Sequence, residues 1–308
     1  MTTFSGSPRQ ISDKFQTGRK SSHKGIVEHM TAPRSHFITV SGVKLHYLEW
    51  GLHTNPSLFL LHGGSAHAHW WDQIATELAR EYRVLALDLR GHGDSAWTTP
   101  PAYEITDYVA DLEAVITTLS LSPLVLIGHS LGGFIALTYA ALHAAALQAL
   151  VVVDSGFRLP HSRRMRLLSR LPAPVYQEEA DLLARFRLLP EDTHATPALL
   201  QHIARHSVRQ LPDGRLTLKF DRASLLRQPC DLSSRLRDIT CPTLLLRGSD
   251  SRTFPATTLA EMLALCPRAQ GREISAAGHH VFLDNPAIFL QTVHSFLDKE
   301  KEGSPCKS

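Results

Sequence analysis

A serine stands between glycines in LVLIGHSLGG, residues 124–133. An apolar run that stops at Gly128-His129-Ser130-Leu131-Gly132 has two readings. Ser130 is a helix N-cap, a place its residue type favours. Alternatively it is a nucleophile on a sharp strand-to-helix turn, with Oγ lifted above a sheet and a helix N-terminus aimed at the site. Nucleophilic chemistry needs a base and donors for a developing oxyanion. Upstream, LLHGGSAH sets His62-Gly63-Gly64 after another apolar run. Glycines there let backbone N–H groups approach an oxyanion, so the Gly64 amide can pair with that of Leu131. Downstream, AAGHHVFLDNP offers His279 and His280 just before a Pro-initiated helix. A carboxylate to orient the imidazole is available at Asp154, ending LVVVD, and at Asp250 in RGSDSRTFP. Trp70 and His67 are expected to line a substrate pocket, with His69, Trp71 and Phe134 as further candidates; Trp71 and Phe134 also suit a core.

These residues need elements to carry them. FITV and KLHYLEW read as strands around a turn at Ser41-Gly42. LFLL (58–61) and RVLALDL (83–89) are short continuous apolar runs, as in strands buried on both faces of a parallel sheet. Residues 70–80 have helical spacing. So do residues 105–119, where Ile105, Tyr108, Val109, Leu112, Val115, Ile116 and Leu119 share a stripe. Asp107 and Asp111 fall in the first turns of that helix, where acids suit the macrodipole. Then follow a strand at 124–127, an Ala-rich helix from Ser130, and a strand at 147–153. TLLLRG and GREI give two more strands, with helices near 256–266 and 286–299. Strands alternating with helices call for an α/β fold with a doubly wound, mostly parallel sheet.

Residues 156–240 break that rhythm. They look helical in pieces (QEEADLLARF, PALLQHIARHSV) and read as a helical cap inserted at the C-terminal edge of the sheet, where ligands bind in open α/β folds. They hold 15 Arg and Lys against 9 Asp and Glu. That surplus is either a solvated helical face or, with Arg163, Arg164 and Arg166 at its centre, a lid that attracts anionic substrates. The remaining boundaries are a disordered polar leader over 1–34, a core over 35–155 and 241–300, and a flexible tail over 301–308.

The chain has 308 residues, 43% hydrophobic and 20% charged, with a net charge of +3. This is a soluble globular composition, and the charge is too mild for nucleic acid. No apolar stretch approaches the roughly 20 residues of a membrane span. The four cysteines lack CxxC spacing, which argues for reduced thiols in a cytoplasm and against a zinc site. No metal and no organic cofactor are expected.

With LLHGG, LDLRGHGDS, GHSLGG, PTLLLRG and GHHVFLDNP in this order, the chain resembles the α/β-hydrolase superfamily from about residue 36 to 299. The resemblance implies an eight-stranded sheet with its second strand antiparallel, a lid between strands six and seven, and a Ser-acid-His triad in that chain order. Ser130 matches the nucleophile. His279 matches the base, because Gly278 directly precedes it and His280 falls at a variable position. The loop Arg90–Ser95 matches a structural one, which leaves His92 and Asp94 outside the triad. The acid is less direct. Its commonest position, three residues past the glycine of RG, falls on Ser251, with Asp250 one residue earlier. Other members carry the acid after strand six, where Asp154 stands. Asp154 is preferred, with Asp250 as the alternative. A serine at the elbow separates the chain from the dehalogenase and epoxide hydrolase branches, which use aspartate there. The expected activity is hydrolysis of a small-molecule ester or related acyl bond through an acyl-enzyme on Ser130. A C–C bond hydrolase, thioesterase or perhydrolase with the same triad, and a non-catalytic ligand-binding member, are the alternatives.

Overall fold

The structure, a computed structural model, describes residues 32–160 and 162–302. Most of the expected leader, the end of the tail and Cys306 lie outside the described residues. Arg34, counted with the leader from composition, instead opens the first strand: it pairs in register with Glu49 and its guanidinium reaches the Gly51 carbonyl at 2.9 Å.

Eight strands form the main sheet: β1 (Arg34–Val40), β2 (Val43–Trp50), β3 (Ser57–Leu61), β4 (Arg83–Leu87), β5 (Leu124–His129), β6 (Leu147–Val153), and, later in the chain, β12 (Thr243–Gly248) and β13 (Ala269–Ile274). Their order is β1-β2-β4-β3-β5-β6-β12-β13. β2 runs against both its neighbours, and all other pairs from β4 onward are parallel. The doubly wound, mostly parallel eight-stranded sheet is therefore present. β4, β5 and β12 are buried along their whole length, which is why they read as unbroken apolar runs.

Successive side chains of a strand point to opposite faces, and each face has its own core. Leu58 and Leu60 join Ile74, Leu78, Phe289 and Val293 on one side. Phe59 and Leu61 join Leu112, Ile116, Phe134 and Leu137 on the other. Each fully buried aliphatic or Phe side chain contributes about 1.5–3 kcal/mol. The helices covering the sheet are α1 (Asp72–Leu78), α2 (Ile105–Thr118), α3 (Leu131–His143), and, after the excursion described next, α7 (Ala256–Leu265), α8 (Val281–Asp284) and α9 (Pro286–Glu302). Helix α2 buries the predicted stripe through Ile116 but also Asp111. That carboxylate is not a solvated macrodipole partner: it takes two 2.6 Å hydrogen bonds from Arg90.

Between β6 and β12 the chain leaves the sheet. It forms α4 (Arg163–Arg170), α5 (Glu179–Arg185) and α6 (Pro197–His206). Short strands accompany them: β7 (Arg158–Leu159) pairs with β11 (Cys230–Asp231), and β10 (Leu216–Leu218) lies between β8 (Val175–Tyr176) and β9 (Val208–Gln210). Strands of two or three residues are too short to show a period of two, so only α5 and α6 were legible beforehand and α4 was not. The excursion is tied to the loop after β4, where Gly93 N–H donates to the Lys219 carbonyl and Asp221 N–H to that of Gly91, both at 2.8 Å.

Candidate active site

β5 ends at His129 and α3 begins at Leu131, so one residue makes the whole turn. Ser130 does so at φ 53°, ψ −115°. This is a left-handed backbone on a residue with a Cβ, costing of order 1–3 kcal/mol. Two hydrogen bonds of 3.0 Å hold it, from Ser130 N–H to the Val153 carbonyl and from Phe134 N–H to the Ser130 carbonyl. Glycines provide the room: a Cβ on Gly128 would stand 2.3 Å from the Gly132 oxygen, and one on Gly132 would stand 2.5 Å from the Leu61 oxygen. The Ser130 side chain makes no capping hydrogen bond to α3, so the N-cap reading does not describe it.

Asp154 directly follows β6 and is also left-handed, at φ 47°. Its Oδ2 lies 2.7 Å from His279 Nδ1. The same oxygen accepts from the Ser251 hydroxyl at 2.6 Å and the Thr253 hydroxyl at 3.0 Å, while Oδ1 accepts from Gly248 N–H at 3.1 Å. A buried carboxylate with four donors is satisfied, as burial demands. Thr253 Oγ1 also stands 2.7 Å from His279 Nδ1. A carboxylate accepts only, so the His279 proton resides on Nδ1 and the Nε2 lone pair is bare. His129 Nε2–H donates to the His279 carbonyl at 2.9 Å and fixes that backbone.

The third contributor is the loop after β3. His62 Nδ1–H donates to the Gly63 carbonyl at 2.7 Å, and His62 Nε2 accepts from Leu89 N–H at 3.0 Å. Burial lowers the His62 pKa, so the ring stays neutral and keeps both bonds. The His62 carbonyl in turn accepts from Gly132 N–H at 3.1 Å, joining this loop to the elbow. Gly64, Ser130, Leu131, Asp154, Thr253 and His279 all line one cavity of about 350 Å³. Leu168 of α4 and Leu189 close it from the excursion, and Arg158, Arg164 and Arg227 also line it, the Arg158 guanidinium being held by Asp231 and Glu261.

A family model described as alpha/beta hydrolase fold matches residues 56–286. The chain belongs to that family. A 2-(acetamidomethylene)succinate hydrolase of Mesorhizobium japonicum is 27% identical over 277 residues, covering 85% of this chain and 96% of that protein. Epoxide hydrolase 4 of Mus musculus is 28% identical and covers 84% of this chain and 78% of its own. Among solved structures, an esterase from Mycobacterium tuberculosis superposes with a TM-score of 0.72 at 26% identity, covering 87% of this chain and 92% of that one. These relatives are hydrolases, and hydrolase is the class of activity they support.

Within this α/β-hydrolase frame the other candidate residues part company. Asp250 faces away: its carboxylate, about half exposed, pairs with His194 Nε2 at 3.0 Å. His280 donates through Nε2 to the Pro190 carbonyl at 2.8 Å, and burial, reinforced by His279 beside it, pushes its pKa down to about 4. His67 and Trp70 line a smaller adjoining cavity of about 90 Å³, which shares Ser65, Leu168, Leu189 and Leu225 with the larger one. Trp71, stacked on Phe282 at 3.9 Å, and Phe134 are core. Of the three arginines singled out on α4, only Arg164 reaches the cavity wall. The Arg90–Ser95 loop is scaffolding. Asp88 just before it accepts from His46 Nδ1 at 2.7 Å, Ala68 N–H at 2.6 Å and Asp94 N–H at 2.8 Å.

Sequence reasoning missed Thr253 and gave Ser251 no role. The signal was there: three hydroxyl residues follow β12 within five positions. Arg158 and Arg227 were also missed as lining residues, since nothing local in the sequence places them at this cavity. Two groups of side chains near the site have metal-ligand chemistry, His129 with His279 and His280, and His46 with Asp88 and Asp94. Every histidine in both is buried. Among the described residues no helix is long and apolar enough to cross a membrane.

Proposed function

We propose that the chain is a serine hydrolase that cleaves a carboxylic ester or related acyl bond of a small molecule through an acyl-enzyme on Ser130. His279 Nε2 takes the Ser130 proton as Oγ attacks the substrate carbonyl. The Gly64 and Leu131 amides stabilise the oxyanion, and Asp154 holds the imidazole and its developing charge. The leaving group departs with the His279 proton. Water, deprotonated by His279, then attacks the acyl carbon and frees Ser130. The observation that carries this reading is the 2.7 Å contact of Asp154 Oδ2 with His279 Nδ1, in a cavity that Ser130 also lines.

Residues 156–240 serve as the lid in this reading, since Arg164, Met165 and Leu168 of α4 form one wall of the cavity. Arg164 and Arg227 favour a substrate bearing a carboxylate beside the scissile bond. The Mesorhizobium relative, by its name, hydrolyses a substituted succinate, which is consistent with that class. The free thiols of Cys230, Cys241 and Cys266 suit a reducing, cytoplasmic setting.

The test is hydrolysis of short p-nitrophenyl esters, with fluorophosphonate labelling, by wild type and Ser130→Ala. Wild type turns over and is labelled, and the variant does neither. If wild type is inert to both, the serine is not activated and the ligand-binding alternative takes its place.

A further inference from the structure

We propose that His69, His202 and His206 form a binding site for a divalent transition-metal ion of the zinc class, and that this ion pins the excursion between β6 and β12 to the sheet. The inference is independent of the chemistry at Ser130.

The three histidines come from two places far apart in sequence. His69 lies in the single-turn 3₁₀ segment Ala68–Trp71 that leads into α1, and His202 and His206 are one turn apart on α6. An i, i+4 spacing sets both side chains on one helix face. Ile203 and Ala204 bury the inward side of α6, and Thr196 caps its start, so the helix is firmly seated. Ring centroids are 3.8 Å apart for His69 and His206 and 4.5 Å for His202 and His206. One ring nitrogen of each lies within 4.8 Å of the others. Zinc–nitrogen bonds of 2.0–2.1 Å in a tetrahedron need about 3.4 Å between donors, within reach of small rotamer changes.

The surroundings prepare the rings as ligands. Asp72 Oδ2 accepts from His69 Nδ1–H at 3.0 Å and from His202 Nε2–H at 2.7 Å. His206 Nδ1–H donates to the His202 carbonyl at 3.0 Å. Each ring therefore spends one nitrogen on a carboxylate or carbonyl and has its other nitrogen without a hydrogen-bond partner. A carboxylate or carbonyl behind a histidine is the usual outer support of a metal-bound imidazole. Exposure separates the cluster from the two near the candidate active site: its three histidines are only partly buried, and the His202 side chain, 41% exposed, is open enough to solvent for an ion to enter. The site also bridges two bodies that already touch through His67 Nε2 and Ser207 Oγ at 2.8 Å. Its ion would restrain α6, the helix next to the smaller cavity that His67 and Trp70 line.

The experiment uses the full chain stripped with chelator and titrated with zinc chloride against a chromophoric chelator, with melting temperature as a second readout. Wild type binds one ion that His202→Gln and His206→Gln each lose, and Asp72→Asn weakens binding by about 10- to 100-fold. Zinc raises the melting temperature of wild type and leaves both histidine variants unchanged. Far-UV circular dichroism of the metal-free variants, matching wild type, shows that the loss is not unfolding. Zinc bound equally by wild type and both variants, or no melting shift in wild type, overturns the proposal. A Ser130→Ala chain carries the same zinc site, so failure here and failure of the hydrolase reading are told apart.

Discussion

The Ser251 hydroxyl donates a 2.6 Å hydrogen bond to Asp154 Oδ2. The loop after β12 thus supplies a donor to the carboxylate that faces His279, and β6 supplies the carboxylate. Asp250, one residue before Ser251, sits in the turn closed by the 3.1 Å hydrogen bond from Ser251 N–H to the Gly248 carbonyl, and its carboxylate pairs with His194 instead.

The two aspartates are therefore expected to behave differently. Asp154→Asn removes the acceptor that sets the His279 tautomer and lowers kcat by about 10³- to 10⁴-fold. Asp250→Asn, altering an exposed pair with His194, leaves kcat within about twofold. Steady-state rates on one ester decide it, and equal losses in both variants would remove Asp154 from its role.

Gly128→Ala is expected not to yield a native fold. Its Cβ would meet backbone atoms of Gly132 and Gly133 at 2.3 to 2.8 Å, and neither strand nor helix can withdraw without breaking the elbow. The check is near-UV circular dichroism of the purified variant. A native spectrum with full activity would show that the turn is looser than the packing here requires.

Stability is expected to fall as pH drops from about 6.5 toward 4. His62, His67, His92, His129 and His280 all have lowered pKa values, chiefly because burial penalises the charged ring, with His92 pushed to about 3 and His280 to about 4. In the unfolded chain each takes up its proton near 6.5. Below that pH the unfolded state binds more protons than the native state, so acid favours unfolding, by up to about 1.4 kcal/mol per pH unit per ring. Asp111, its pKa raised by burial, works in the opposite direction, but it is one group against these five and His206, whose pKa burial also lowers. Urea midpoints at pH 7.5, 6 and 5 should decline in that order, and a flat series would contradict the account.

Arg164→Gln and Arg227→Gln are expected to raise KM for esters carrying a carboxylate by about tenfold or more, with neutral esters changed less than twofold. A hydrogen bond to a charged group contributes about 1.5–3 kcal/mol. Arg163→Gln is the control, since Arg163 does not line the cavity. Parallel losses on both kinds of ester would remove the anionic-substrate reading.

The sequence by itself determined the sheet, the helices on both its faces and the elbow. Those are written locally: buried strands appear as apolar runs, α2 as a 3.6-residue stripe, and the sharp turn as glycines two residues either side of Ser130. Tertiary structure alone decided the partners. Asp154 and Asp250 are both aspartates in strand-end loops, and only the path of the loop after β12 shows which one meets His279. Asp111 looked like a helix-start acid until Arg90 reached it from the β4 loop. The short strands, the arginines lining the cavity and the meeting of His69 with His202 and His206 are likewise products of chain crossings. A pattern one residue wide can specify a face or a turn. It cannot specify which distant residue arrives opposite, because that depends on the summed geometry of everything between.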